Sequence, residues 1–133
     1  MHRAGTEVAE GGLNQLTELI IGAAIEVHRE LGPGLLESAY QRALAHELRL
    51  RRVPFEEQKL CPLYYKDLVV DDAYRLDFLV SGAVVLELKT VDVLLDVHEA
   101  QLLSYLRFTG CRIGLLMNFR STTLMRGLKR LAL

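Results

Sequence analysis

The chain has 133 residues, half of them hydrophobic and a quarter charged, with a formal net charge of −1. That length and mix fit one globular domain able to bury roughly two thirds of its unfolded surface without staples, and they argue against a disordered chain. The near-neutral balance supplies no global field that would pull the protein onto nucleic acid, although it leaves room for a local basic groove. Cys61 and Cys111 follow no metal-ligand spacing and make no disulfide framework. No signal peptide is expected, and the apolar run Leu19 to Ile25 is far too short to span a bilayer, so no membrane partner is expected either. The expected location is the reducing cytoplasm, with both thiols buried and inert.

Residues 1–12 lack apolar periodicity and read as a flexible N-terminal tail, leaving 13–133 as the single domain. Asn14 is a candidate helix cap, after which Leu16, Leu19, Ile20, Ala23, Ala24, Val27 and Leu31 recur at helical spacing. Gly32-Pro33-Gly34 stops that helix. A second amphipathic helix is expected from about Leu35 to Arg52, ended by Pro54. The period then changes. Phe55 to Tyr65 reads as a strand, with Pro62 marking an edge or a bulge, and Val70-Asp71-Asp72 reads as a turn. Tyr74–Val80 and Val84–Thr90 follow as strands. Asp96 and Glu99 resemble a capping box before a third helix that Gly110 terminates, and Arg112–Asn118 is another strand. Thr122 to Leu133 fits a helix or a strand. This order implies an α/β fold, a mixed sheet flanked by helices, with the third helix as a crossover between parallel strands.

Charge within apolar strands marks the candidate site. Asp77 interrupts one strand, and Glu87 and Lys89 interrupt the next. Alternation puts Glu87 and Lys89 on one face. If the loop after Val80 holds three residues, Ser81-Gly82-Ala83, Val80 opposes Val84 and Asp77 opposes Glu87, with Cβ atoms about 5 Å apart, close enough to share one metal ion. A two-residue loop would place the two acids on opposite faces. Mg²⁺ takes one or two carboxylates plus waters and substrate phosphate, which this pair supplies. Lys89 either orients the attacking water and offsets phosphate charge, or only neutralises one of the acids. Glu37, at the start of the second helix, is either a further site acid or a surface carboxylate matched to the helix dipole. His98, Gln101 and Tyr105 share a helix stripe that could line a polar cleft or face solvent. His28 either reaches the cleft or is a satisfied structural histidine. Arg49, Arg51 and Arg52, and the acid-free run carrying Arg112, Arg120, Arg126, Lys129 and Arg130, are phosphate contacts or solvated faces.

Gly34, Glu37 and Tyr40, within Val27 to Tyr40, resemble the signature of the GxxExxY proteins. Asp77, Glu87-Leu88-Lys89, His98 to Leu106 and Gly114 to Phe119 resemble the rest of that family in order, so the resemblance spans about residues 13–130. The family is grouped with the PD-(D/E)XK nuclease-like superfamily. The resemblance implies an αβββαβ core behind an extra N-terminal helix, with Glu37 as helix acid and Lys89 as catalytic lysine. It also implies Asp77, Glu87 and the carbonyl of Leu88 as metal ligands, and Gln101 and Tyr105 as the Gln-x-x-x-Tyr pair near a DNA end. The expected activity is hydrolysis of DNA phosphodiesters with Mg²⁺ or Mn²⁺, Arg49, Arg52, Arg126, Lys129 and Arg130 touching phosphates. The alternatives are an RNA-directed nuclease sharing the site and a non-catalytic accessory subunit that binds a protein partner or forms a homo-oligomer.

Overall fold

The computed structural model describes residues 10–133. Its elements are α1 (Glu10–Leu31), α2 (Glu37–Leu50), β1 (Phe55–Tyr65), β2 (Leu68–Val80), β3 (Val84–Lys89), α3 (Asp96–Thr109), β4 (Ile113–Asn118) and β5 (Leu128–Ala132). The tail expected over residues 1–12 lies outside the described residues as far as residue 9. From Glu10 the chain is helical, so Asn14 sits within α1 instead of capping it, and its carbonyl accepts the Thr17 hydroxyl at 3.0 Å. Among the described residues no helix is long and apolar enough to cross a membrane.

The five strands lie in the order β1-β2-β3-β4-β5. Every neighbouring pair is antiparallel except β3 and β4, which α3 joins as the expected crossover. This is the α/β arrangement of a mixed sheet flanked by helices, with α2, β1 to β3, α3 and β4 forming an αβββαβ core behind α1. The final segment, ambiguous in sequence, is a 3₁₀ turn (Met125–Gly127) leading into β5 on the outer side of β4.

The central strand β3 is buried from Val84 to Leu88, and its alternation sorts two cores. Val84, Leu86 and Leu88 pack with Ile20, Ala23 and Val27 of α1 and Tyr40, Leu44 and Leu48 of α2. Val85 packs on the other face with Leu102 and Leu106 of α3. Glu87 and Lys89 share Val85's parity and so face α3. The third helix lies directly on β4 at Gly114, where a Cβ would stand 2.9 Å from the Leu102 side chain.

Two expectations about turns are corrected. Val70-Asp71-Asp72 is not a turn; the hairpin reverses at Lys66-Asp67 and β2 runs unbroken from Leu68. The three-residue stretch 71–73 is instead a bulge of β2 opposite Pro62, where the register slips between Cys61/Tyr74 and Leu63/Val70. Pro62 has no N–H to give the ladder, and Asp72 takes φ 51° there. The cap of α3 is not the Asp96/Glu99 box: Leu95 is the N-cap, and its N–H donates to His98 Nδ1 at 2.9 Å.

Tyr40 fixes the turn before α2. Its buried hydroxyl donates to the Gly32 carbonyl and accepts the Leu35 N–H at 3.1 Å, while its ring stacks on Phe119 with centroids 4.7 Å apart. Gly34, at φ 124°, takes a conformation in which a side chain would be strained. This clamp sets where α2 begins, and hence where Glu37 stands. Tyr40→Phe keeps the ring but removes both hydrogen bonds to the turn, so it should cost about 1 kcal/mol in urea unfolding; an unchanged midpoint would refute the clamp.

Candidate active site

The β2–β3 hairpin has the longer loop. Val80 pairs with Val84 across Ser81-Gly82-Ala83, and the ladder continues through Leu79/Val85 and Phe78/Leu86. Asp77 and Glu87 come next in register, and there the carboxylates take over from the backbone. The Asp77 N–H donates to Glu87 Oε2 at 2.9 Å, and the Leu88 N–H donates to Asp77 Oδ2 at 2.8 Å. Each acid is thus held through one oxygen by the opposing strand, and the Gln58 side chain also lies within hydrogen-bonding reach of Asp77.

The two acids open into a cleft of about 350 Å³ whose lining also includes Glu37, Lys89, Gln101 and Tyr105. Three elements supply these groups. Glu37 comes from the first residue of α2, and the same helix reaches β2 where the Gln41 amide donates to the Asp77 carbonyl at 3.5 Å. Gln101 and Tyr105 come from successive turns of α3. The sequence stripe therefore does face a cleft, except at His98, whose Nδ1 is used in the helix cap. Among the described residues no ion pair joins Lys89 to either acid.

Crowded negative charge dominates the electrostatics. Glu87 is 4% exposed, and burial, reinforced by the charge of Asp77, pushes its carboxyl up to about 8. Burial also raises Asp77, against the pull of the Leu88 N–H and of the Lys89 and Arg75 cations. Glu37 is raised by burial and then by Asp77, with Lys89 opposing. Burial and the charges of Glu87 and Asp77 raise Tyr105. Three carboxyls held up in this way form a site that a cation would relieve. Among the described residues no group of three or more His, Cys, Asp or Glu side chains is placed to hold a metal ion, so Glu37 does not join Asp77 and Glu87 as a third direct ligand. Two anchored carboxylates fit instead an ion that keeps several waters, as Mg²⁺ does, and not the closed tetrahedral set of structural Zn²⁺.

The other expected site residues lie elsewhere. His28 is buried and its Nε2 lies 2.9 Å from the Ser121 carbonyl, the structural alternative. Arg49 pairs with Glu57 at 3.2 Å and lies over Phe55, and Arg51 pairs with Glu47 at 2.8 Å. Lys129 pairs with Glu99, and Arg130 donates to Asn14 at 2.9 Å. Arg49, Arg52, Arg126, Lys129 and Arg130 are all absent from the cleft lining. Leu88 contributes its N–H to Asp77 while its side chain is fully buried. Sequence reasoning missed Arg75, which lines the cleft; its position two before Asp77 on β2 was the available signal. It also missed Asn118. Buried at the end of β4, Asn118 holds the chain beyond Lys89 by accepting the Val91 N–H at 3.1 Å and donating to the Val91 carbonyl at 2.8 Å.

A family model for the PD-(D/E)XK nuclease superfamily matches residues 14–131. No curated protein and no solved structure matches the chain.

Proposed function

Because the chain belongs to the PD-(D/E)XK nuclease superfamily, we propose that it is a Mg²⁺- or Mn²⁺-dependent phosphodiesterase that cuts DNA. The observation that carries this reading is the reciprocal clamp between Asp77 and Glu87 in the wall of a cleft that is also lined by Lys89, which among the described residues pairs with neither acid. In this reading Asp77 and Glu87 hold the ion, and Glu37 steadies it from the helix side. Bound there, the ion would supply an acidified water and charge neutralisation at the phosphate. Lys89 holds the attacking water and stabilises charge growing on the phosphate oxygens. Gln101 and Tyr105 position the strand along α3. Within the superfamily we assign the chain to the GxxExxY type, on Gly34, Glu37 and Tyr40. A cytoplasmic location belongs to the same proposal and accords with the two unpaired buried thiols.

The test is nicking of supercoiled plasmid and of short oligonucleotides with Mg²⁺ and with Mn²⁺. Wild type should cut only with the ion present, and Asp77→Ala should not cut. Equal cutting by the two proteins would sink the assignment.

A further inference from the structure

A second cavity, of about 260 Å³, lies between the β1–β2 hairpin and the last turn of α3, with Tyr64, Leu76, Leu79 and Phe108 among its walls. It shares Tyr74 with the acidic cleft. Tyr74 stacks on Tyr105, with centroids 5.1 Å apart and planes at 17°, and meets Phe108 at 5.5 Å and 50°. The three rings therefore make a continuous row from the cleft, at Tyr105, into the second cavity, at Phe108. The Arg107 guanidinium lies 5.4 Å over Phe108 and adds a cationic plane at the far end. Tyr64 is 60% exposed beside it.

Two of the polar groups around this cavity are already committed. The Thr109 hydroxyl donates to the Tyr105 carbonyl at 2.8 Å, and Lys59 pairs with Glu56 at 2.8 Å. What the cavity offers besides is aromatic surface from Tyr64, Tyr74 and Phe108, with one face of Tyr74 already taken by Tyr105, which suits a planar aromatic group recognised by stacking without hydrogen-bond readout. Arg75 lies next to Tyr74 in sequence, lines the cleft, and among the described residues makes no ion pair. Asp77 lies three residue steps along β2 from Tyr74, roughly 10 Å of backbone. A nucleic-acid strand covers that distance in a few nucleotides, at about 3.4 Å each when stacked.

We infer that the Tyr105–Tyr74–Phe108 row and its cavity seat unstacked bases of a single-stranded nucleic acid whose backbone crosses the acidic cleft, with Arg75 on a phosphate. The inference rests on the phosphodiesterase reading and narrows its substrate. Paired bases of an intact duplex cannot present their faces to the row. With a net charge of −1, the protein has little long-range attraction for phosphates, so stacking must carry a large share of affinity.

The test is fluorescence anisotropy of a labelled twelve-nucleotide oligo-dT and of a twelve-base-pair duplex, with Ca²⁺ in place of Mg²⁺. Wild type should bind the single strand at least about tenfold more tightly. Tyr64→Ala and Phe108→Leu should each weaken single-strand binding by about five- to tenfold, and a strand of abasic sites should bind wild type as weakly as the variants bind oligo-dT. Arg75→Gln should lower the slope of log K against log salt by about 0.7. Tyr64, being exposed, can be truncated with no change in melting temperature. Equal affinity for strand and duplex, or no effect of either aromatic variant, overturns the inference. Cleavage with Mg²⁺ is scored separately. Asp77-dependent cutting with unaltered aromatic variants defeats the stacking row alone, and row-dependent binding with no Asp77-dependent cutting defeats the phosphodiesterase reading alone.

Discussion

Lys89→Met should lower the single-turnover cleavage rate by about 10³-fold, while its affinity for Mn²⁺ should stay within a few-fold of wild type or rise. Lys89 stands two residues after Glu87 on the α3 side of β3, at the rim of the cleft. Its ammonium draws down the carboxyls of Glu37, Asp77 and Glu87, so its charge reaches all three acids. Removing a cation from beside a cation site cannot weaken metal binding through electrostatics; it should leave binding unchanged or strengthen it. A rate loss without an affinity loss is therefore the signature of a group acting on water or phosphate. Asp77→Asn should differ by losing affinity and rate together. Were Lys89 only a counter-charge for the acids, its loss would destabilise the protein and leave cleavage by the folded fraction near wild type. Isothermal titration with Mn²⁺, single-turnover cleavage and urea unfolding on the same two variants distinguish these outcomes.

The geometry behind that prediction was largely legible in the sequence, because it follows from a count. Three loop residues after Val80 and strict alternation suffice to bring Asp77 opposite Glu87 and Lys89 to the same face. What alternation could not reveal is that the ladder ends at Phe78/Leu86 and that side chains substitute for the next backbone bonds. The misplaced turn has a physical origin too. Beyond Leu63 the hairpin stands clear of both cores, Tyr64 through Asp72 are exposed, and no buried face imposes a period of two. Val70-Asp71-Asp72 has turn composition, yet it is absorbed as a bulge because Pro62 breaks the ladder opposite it.

Which basic residues are already paired depends on the fold and not on clustering along the chain: Lys129 finds Glu99 thirty residues away and Arg130 finds Asn14 across the fold. The aromatic row was invisible for the same reason, since Tyr74 belongs to β2 and Tyr105 and Phe108 to α3. Only pairings between elements distant in sequence reveal which charges are neutralised and which rings touch.

Those same crowded acids should make the metal-free protein lose stability as pH rises. Glu87 titrates at about 8 in the fold against an ordinary 4.5, so between those values the native state binds a proton that the unfolded chain releases. Stability must then fall with pH across that window, the sign opposite to that of a salt-bridged carboxylate. The smaller upward displacements of Asp77 and Glu37 act in the same direction. Glu87→Gln keeps an oxygen to accept the Asp77 N–H and removes the ionisation. In the absence of divalent ions it should match wild type near pH 4.5 and exceed it near pH 8.5 by about 2–3 kcal/mol, on the order of 10 °C in Tm. Adding Mg²⁺ should reverse the ranking at pH 8.5, because the ion favours the ionised wild-type pair and finds one carboxylate fewer in the variant. Thermal melts of both proteins from pH 4.5 to 9, with EDTA and with Mg²⁺, measure the difference directly. A difference that stays flat with pH in EDTA would mean that Glu87 is already ionised in the fold, and the electrostatic case for a cation in this cleft would fall with it.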